Sequence, residues 1–454
     1  MYGKKYKKFN RELLTVVSID SIIAFIEFIV KQVFLQVPIF LGTIALVGLL
    51  LLRRPWREVI EHTIKVMAGV AAMLSAAGML AGTARSVGDI MNDMLGVSGV
   101  IPWNLPAYAN AVKLAPPDFP VNVLVCATSA MLLAFILNLI SAWLTPIKTI
   151  YLTPHFMNFI AVINVYTLAV LFPGLGEIPI ILISAVLAWL YEWLGPAIGR
   201  IYTKRWIPED AYTVGHSETI WGAIMSWIGE HIGKPEESIE TAEFPPSLSI
   251  LADYVVMTFV IMSLTFVPIA LIAGEPIVSK YSGGLNYIIW AFNQAITFTA
   301  GVVLLLTGVR MFIGSMVIAF RGISERLIPG AKPAFDCPVI FALGPKALLL
   351  GALGSLVTAP LVTLAMVAFK APVIVLPNAI WIYFEGGTMG IFADKVGGRK
   401  AAFLAGVVSA LVQMLGAALF YTLGGPVEVL GFTWHGPDLV TLYGLLYALL
   451  AAFK

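Results

Sequence analysis

Apolar stretches of roughly twenty residues, about the length a helix needs to cross a bilayer, recur in this chain from residue 37 to the C-terminus. Few soluble folds are open to such a sequence. Charged residues make up 12% of it and apolar residues 59%, whereas an ordinary soluble protein carries about 25% charged residues. The sequence therefore predicts an all-α polytopic membrane protein with no separate soluble domain. Polar groups at membrane depth are costly and persist mainly where they line a site or a pathway, so function has to be sought among them.

Spanning segments are expected near 37–52, 61–82, 120–144, 156–173, 178–199, 251–272, 287–309, 347–369, 401–423 and 437–453, with broken apolar stretches at 335–345 and 371–392. Basic residues test this assignment, because short cytoplasmic loops gather Lys and Arg. Arg53, Arg54 and Arg57 follow the first segment, Lys148 the third, Lys204 and Arg205 the fifth, and Arg310, Arg321 and Arg326 the seventh. The connections 173–177 and 424–436 contain neither Lys nor Arg. These basic connections and the C-terminus are thereby assigned to the cytoplasm.

An external loop is expected over 83–118, turned by Pro102, Pro106, Pro116 and Pro117, and a cytoplasmic loop over 203–250 with an acidic later half. Within the latter, Ile220, Trp221, Ile224, Trp227 and Ile228 share one face of an amphipathic helix near 217–232. Residues 13–35 carry Asp20, Glu27 and Lys31 on one stripe and fit either a crossing or an interfacial helix. Residues 1–20 read as a basic extension without a secretory cleavage site. An apolar run ending at Arg is shared by VGLLLLRRPWREVI (47–60) and VVLLLTGVRMFIGSM (302–316), a pattern that inverted repeats would produce.

A few polar positions stand out. His155 follows Pro154 at a helix start, where it is either a backbone-bonded interfacial residue or a donor into a cavity. His216 follows Gly215 just ahead of the amphipathic helix, and Ser217 is suited to cap that helix. Asp336 lies in an apolar stretch, as a helix cap or as a carboxylate that needs a partner. Glu385 sits beside Gly386 and Gly387, which permit a broken helix, a re-entrant hairpin or a plain loop. His62, His231 and His435 lie in loops or at segment ends, and Cys126 and Cys337 read as small core residues. There is no Gly-x-x-x-x-Gly-Lys-Ser/Thr loop, no His-Glu-x-x-His and no arginine ladder, so neither a nucleotide, a cofactor nor a metal is expected. A net charge of +2 points to no nucleic-acid partner.

Four strings in order, KTIYLTPHFM (148–157), VGHSETIWGAIMSWIGEHIGKPEES (214–238), GVRMFIGSMVIAFRGISERLIPGAKPAFDC (308–337) and GTMGIFADKVGGRKAA (387–402), resemble the ascorbate-specific permease, the enzyme IIC component, of the bacterial phosphotransferase system. The likeness covers most of residues 20–454. It implies a homodimer in the cell membrane, each subunit with about eleven transmembrane helices in two inverted repeats. These would form a V-motif domain and a mobile core domain with re-entrant hairpins, with residues 21–454 making up the permease. It further implies elevator-like import of a sugar or sugar acid, phosphorylated by a separate IIB subunit that is itself supplied through IIA. The chain would be a transport subunit and not an enzyme.

The same resemblance implies that His155, His216 and Asp336 bind substrate, imidazole N–H groups donating to an anionic sugar acid and the carboxylate accepting from its hydroxyls. Two family glutamines are replaced here: Phe159 stands four residues after His155, and Ser217 directly follows His216. Both positions are expected to contact substrate and to shift specificity away from ascorbate. Two other readings remain at this stage. One is a facilitator or ion-coupled transporter of the same fold without phosphorylation; the other is an intramembrane enzyme, for which no activated nucleophile is visible.

Overall fold

The computed structural model describes residues 24–25, 28–96, 119–243, 245–377, 381–422 and 436–452. The extension 1–20, Glu27, His435 and the four prolines of the 83–118 segment lie outside the described residues. Eleven helices carry the architecture: α1 (Val37–Leu51), α2 (Trp56–Leu95), α3 (Val123–Leu144), α4 (Pro154–Leu171), α5 (Glu177–Thr203), α6 (Thr219–Ile232), α7 (Tyr254–Ala273), α8 (Tyr287–Arg326), α9 (Pro345–Ala368), α10 (Gly387–Thr422) and α11 (Pro437–Ala452). Among the described residues, eight helices are long and apolar enough to cross a bilayer, and α1 and α11 are shorter apolar helices. Every segment expected from the sequence falls on one of these ten.

Boundaries differ where the helix outlasts its apolar run. α2 and α8 are each 40 residues long, about 60 Å at 1.5 Å per residue against a hydrocarbon core of about 30 Å. α2 therefore continues to Leu95, into the stretch expected as loop, and α8 runs on past Arg310 to Arg326. Apolar content stops where lipid stops, whereas the backbone ladder continues. The broken stretch 371–392 holds a π-helical turn, Ile382–Gly386, that leads directly into α10, and α10 itself breaks at Gly398 with φ of 69°. The likeness of 47–60 to 302–316 joins unlike places: the first string crosses the break between α1 and α2, and the second lies inside α8.

α2 and α8 pack antiparallel as the centre of a four-helix group with α1 and α7. Their crossing depends on glycine. A Cβ on Gly308 would lie 2.8 Å from the Gly69 carbonyl oxygen, and one on Gly69 would lie 2.8 Å from the Phe312 nitrogen. Helices in lipid gain little from apolar burial and associate through such close backbone approach. His62 Nδ1 and Ser315 Oγ meet at 3.1 Å across the same interface. α3, α4 and α5 form a second group, and α6, α9 and α10 a third that also holds α11.

α6 corrects an inference from periodicity. Its buried residues are Thr219, Gly222, Ala223, Met225, Ser226 and Gly229, whereas Ile224 and Trp227, on the apolar face, are exposed. In lipid the apolar face turns outward and small residues make the helix contact, the reverse of a soluble amphipathic helix.

The helical reading also omits a ribbon of three short parallel strands, β1 (Thr149–Tyr151), β2 (Thr213–Val214) and β3 (Lys332–Phe335), in the order β1-β3-β2. Runs of two to four residues carry no readable alternation, and their pairing joins positions more than a hundred residues apart. The ribbon answers a backbone requirement, because unpaired N–H and C=O groups inside a membrane protein are expensive. Leu152 N donates to Ala334 O at 2.8 Å and Gly215 N to Phe335 O at 2.7 Å. The open edge of β1 is closed by Asn138, which donates to Thr149 O at 3.2 Å and accepts from Tyr151 N at 2.9 Å. Arg200 and Lys332 both engage Asp210, tying the connection before β2 to β3.

Replacing Gly308 with Leu should break the α2–α8 crossing, since overpacking costs about 1–3 kcal/mol even where side chains can shift and here the obstacle is backbone. Thermal unfolding of the detergent-purified protein is expected to show a lowered midpoint for Gly308→Leu and an unchanged one for Gly314→Ala, whose added Cβ meets nothing within 4 Å.

Candidate functional site

The C-terminal ends of the three strands each deliver a side chain to one place. β1 is followed by Leu152, Thr153 and the start of α4, which brings His155; β2 by Gly215 and His216; β3 directly by Asp336. Parallel strands commonly offer a binding crevice beyond their carboxyl ends. His155 Nε2 stands 3.6 Å from Asp336 Oδ2, and His216 Nε2 stands 3.6 Å from Asp336 Oδ1. The two imidazole centroids are 6.1 Å apart. Thr153 Oγ1 donates to Gly215 O at 2.8 Å, locking the β1 and β2 exits together. His155, His216 and Asp336, remote in sequence, are thus neighbours.

A cavity opens beside them, lined by His155 and Asp336 among others. One wall is apolar and comes from α1, α2 and α8, with Leu41, Met73 and Phe312 among its residues; the other carries Thr153, His155 and Asp336. The cavity therefore lies between the α1/α2/α8 group and the strand ends. The N-terminus of α4 also faces it through Pro154, and a helix start favours negative charge. His155 Nδ1 is buried and has no hydrogen-bond partner among the described residues.

The other two expected site residues lie deeper. Phe159 is buried, with its ring stacked 5.8 Å from Phe156, which in turn lies 4.6 Å from the His216 ring. The rings form a column running inward from His216. Ser217 is fully buried, and its Oγ lies 3.0 Å from Glu385 Oε1 and 3.1 Å from Glu218 Oε2. Neither Phe159 nor Ser217 is among the described residues lining the cavity.

Ser217 does not cap α6. The α6 amides of Ile220 and Trp221 donate to Asp438 at the start of α11, at 2.8 and 2.9 Å, and Tyr191 Oη lies 2.9 Å from the same carboxylate. Asp336 does act as a cap, accepting from Cys337 N at 2.7 Å at the head of the 3₁₀ turn Cys337–Leu343. Sequence reasoning missed Glu218 and Asp438. Glu218 adjoins His216 and its Oε2 contacts His216 Nδ1 at 2.7 Å, a signal that the string HSET contained. Asp438 acts across more than two hundred residues, and nothing local announces it.

Two sets of potential ligand atoms, His155 with His216 and Asp336, and His216 with Glu218 and Cys337, each lie within 4.8 Å of one another. Asp336 Oδ1 and His216 Nδ1 are already engaged by Cys337 N and Glu218, and we read both sets as hydrogen-bonding groups.

Fold and site together define a many-helix membrane protein with a polar site at strand ends inside its helical body. Residues 32–438 match the family described as EIIC-GAT, the PTS system sugar-specific permease component, and the chain belongs to that family. It is accordingly a multi-pass plasma-membrane protein. It is similar to the "Ascorbate-specific PTS system EIIC component" of Mycoplasma pneumoniae, 26% identical over 429 residues that cover 85% of this chain and 65% of the relative's length.

Asp438→Ala should leave two α6 amides without their acceptor, each buried group costing about 1–3 kcal/mol. Differential scanning of the purified protein is expected to show marked destabilisation, with Asp438→Asn intermediate because one carbonyl oxygen remains.

Proposed function

We propose that the protein imports a sugar acid chemically close to ascorbate, held by His155, His216 and Asp336, and delivers it to a IIB subunit for phosphorylation. The observation that carries this reading is the meeting of two imidazoles with the Asp336 carboxylate, where His155 and Asp336 line a cavity whose opposite wall is apolar and His216 stands behind Asp336. Imidazole N–H groups and a helix start suit an anionic group, the Asp336 carboxylate suits hydroxyls, and the apolar wall suits a ring face. In this reading α1, α2, α7 and α8 form the V-motif scaffold, and the remaining helices form a core that moves as an elevator. The cavity's location between these groups supports that division, as does the equal length of the antiparallel pair α2 and α8. The segments Thr213–Ile232 and Ile382–Gly398 take the role of re-entrant hairpins, one from each inverted repeat, in a subunit of about eleven transmembrane helices, and the working unit is a homodimer.

Asp336→Ala is expected to abolish uptake of labelled sugar acid into cells that also express a phosphorylation-competent IIB, while the purified variant keeps the elution volume of the parent. Uptake at the parental rate would overturn the site assignment.

Specificity departs from the family at Phe159 and Ser217. Phe159 and Ser217 lie behind the cavity and bear on a ligand through His216, which Phe156 and Ser217 contact; an amide lost there removes a hydrogen bond from that support, a cost of about 1–3 kcal/mol, or roughly one to two decades in affinity. Ascorbate should therefore bind weakly to this protein and more tightly to the double variant Phe159→Gln with Ser217→Gln. Calorimetric titration with ascorbate and a panel of pentoses, hexoses and sugar acids checks this, and unchanged tight ascorbate binding in both proteins would remove these positions from specificity.

A further inference from the structure

Three helix ends meet at a second place in the molecule. α5 is followed at once by Arg205 and Trp206, α6 by Gly233 and Lys234, and α10 reaches its break at Gly398 just after Lys395. Arg205, Trp206, Glu230, Lys234 and Lys395 line an open cleft there. His216 lies before the start of α6 and Glu230 near its end; the fourteen residues of that helix put about 20 Å between cleft and site at 1.5 Å per residue.

The cleft holds more cations than acids. Arg205 pairs with Glu230, the acid in the lining, which also accepts from Tyr202 Oη at 3.1 Å. Lys395 donates to the Leu343 carbonyl at 2.6 Å and keeps two further hydrogens to give. Asp394 beside it is taken up by Ser238 and the Ile239 amide. Lys234 is exposed and has no ion-pair partner among the described residues. Lys204, Arg399 and Lys400 flank the cleft, as do Glu236 and Glu237, and the balance stays positive. A single cation at a helix end is ordinary, but three such ends brought together concentrate donors in one place.

Apolar surface leads up to these charges along two helices. On α5, Leu194, Ile198 and Ile201 are exposed at helical spacing, and Arg205 continues their stripe. On α6, Ile224 and Trp227 are exposed, and Glu230 follows one turn after Trp227. The Trp227 ring also lies 4.7 Å from that of His231. Tryptophan at the border between apolar and charged surface marks the level of the membrane–water interface. A free phosphate would use the cations and leave the stripes without a role, whereas a molecule with an anionic head and apolar tails uses both.

We propose that this cleft binds the phosphate headgroup of an anionic phospholipid, with the acyl chains lying along the exposed stripes of α5 and α6. Lys234, Lys395 and the remaining N–H groups of Arg205 donate to the phosphate oxygens. Since α5 belongs to one helix group and α6 and α10 to another, the lipid bridges the two groups. Like any ligand of the folded state, it stabilises the protein when bound. The assignment does not depend on which substrate is carried.

The test uses the full-length protein, delipidated in neutral detergent, with phosphatidylglycerol and phosphatidylcholine of identical acyl chains. Native mass spectrometry should show phosphatidylglycerol bound at least about tenfold more tightly than phosphatidylcholine. Its addition should also raise the thermal midpoint, which inorganic phosphate should not. Lys234→Glu, at an exposed position, should lower phosphatidylglycerol affinity at least about tenfold. Lys395→Gln, which can still donate to Leu343 O, should do the same and serves where the first variant does not fold. Equal binding of both lipids, or phosphatidylglycerol binding unchanged in the variants, overturns the site. Protection by inorganic phosphate that the lipid does not exceed assigns the cleft to a soluble anion. Loss of phosphorylated IIB binding in Lys234→Glu, with lipid binding kept, assigns it to a protein partner; either result overturns the lipid assignment.

Discussion

Backbone hydrogen bonding inside an apolar medium is the constraint on which this structure turns. Wherever the chain leaves a helix within the protein, its N–H and C=O groups need partners, and the β1-β3-β2 ribbon supplies them for three such departures at once. Because the three strands are parallel, their carboxyl ends fall on one side, and the residues just beyond them come together. The ribbon tolerates little added bulk: a Cβ on Gly215 would lie 3.0 Å from both the Ala334 Cβ and the Tyr151 ring. The site is thus a by-product of how unpaired backbone is satisfied, and each of its polar residues follows directly from a strand exit.

The cavity pairs this polar edge with a surface built on a different principle. α2 and α8 meet through glycine backbone and present apolar side chains toward the strand ends. One wall sets Thr153, His155 and Asp336 among apolar neighbours, and the other, among the described residues, has no side-chain donor or acceptor to offer a ligand. An occupant with hydroxyl or carboxylate groups on one side and a bare ring face on the other satisfies both walls without leaving a buried polar group unmatched.

Several helix starts are finished by acids from far away in sequence. Asp438 accepts from the amides at the head of α6, and Glu240, from the acidic part of the loop after α6, accepts from Lys346 N and Ala347 N at the head of α9 at 2.7 and 2.8 Å. Burial pushes the Glu240 carboxyl above its ordinary range, and the two amides pull the other way. A loop whose charge reads as a solvated face therefore acts partly as a set of caps, docking the loop onto the helical body. The α6 amides are taken up by Asp438, whereas the start of α4 faces the cavity through Pro154.

The amino-acid sequence determined the position of the apolar segments and the helix start at Pro154, because these follow from local composition and from the residues beside them. It also carried His155, His216 and Asp336 as polar groups in apolar surroundings, and these come together in the fold. The lengths of α2 and α8, the outward turn of the apolar face of α6 and the three-stranded ribbon were decided only by tertiary structure. So were the capping of α6 by Asp438, in place of the neighbouring Ser217, and the depth at which Phe159 and Ser217 lie behind the cavity. Local sequence records what a residue costs in lipid, whereas which distant group relieves that cost depends on pairings and close approaches between segments that have no signature within either one.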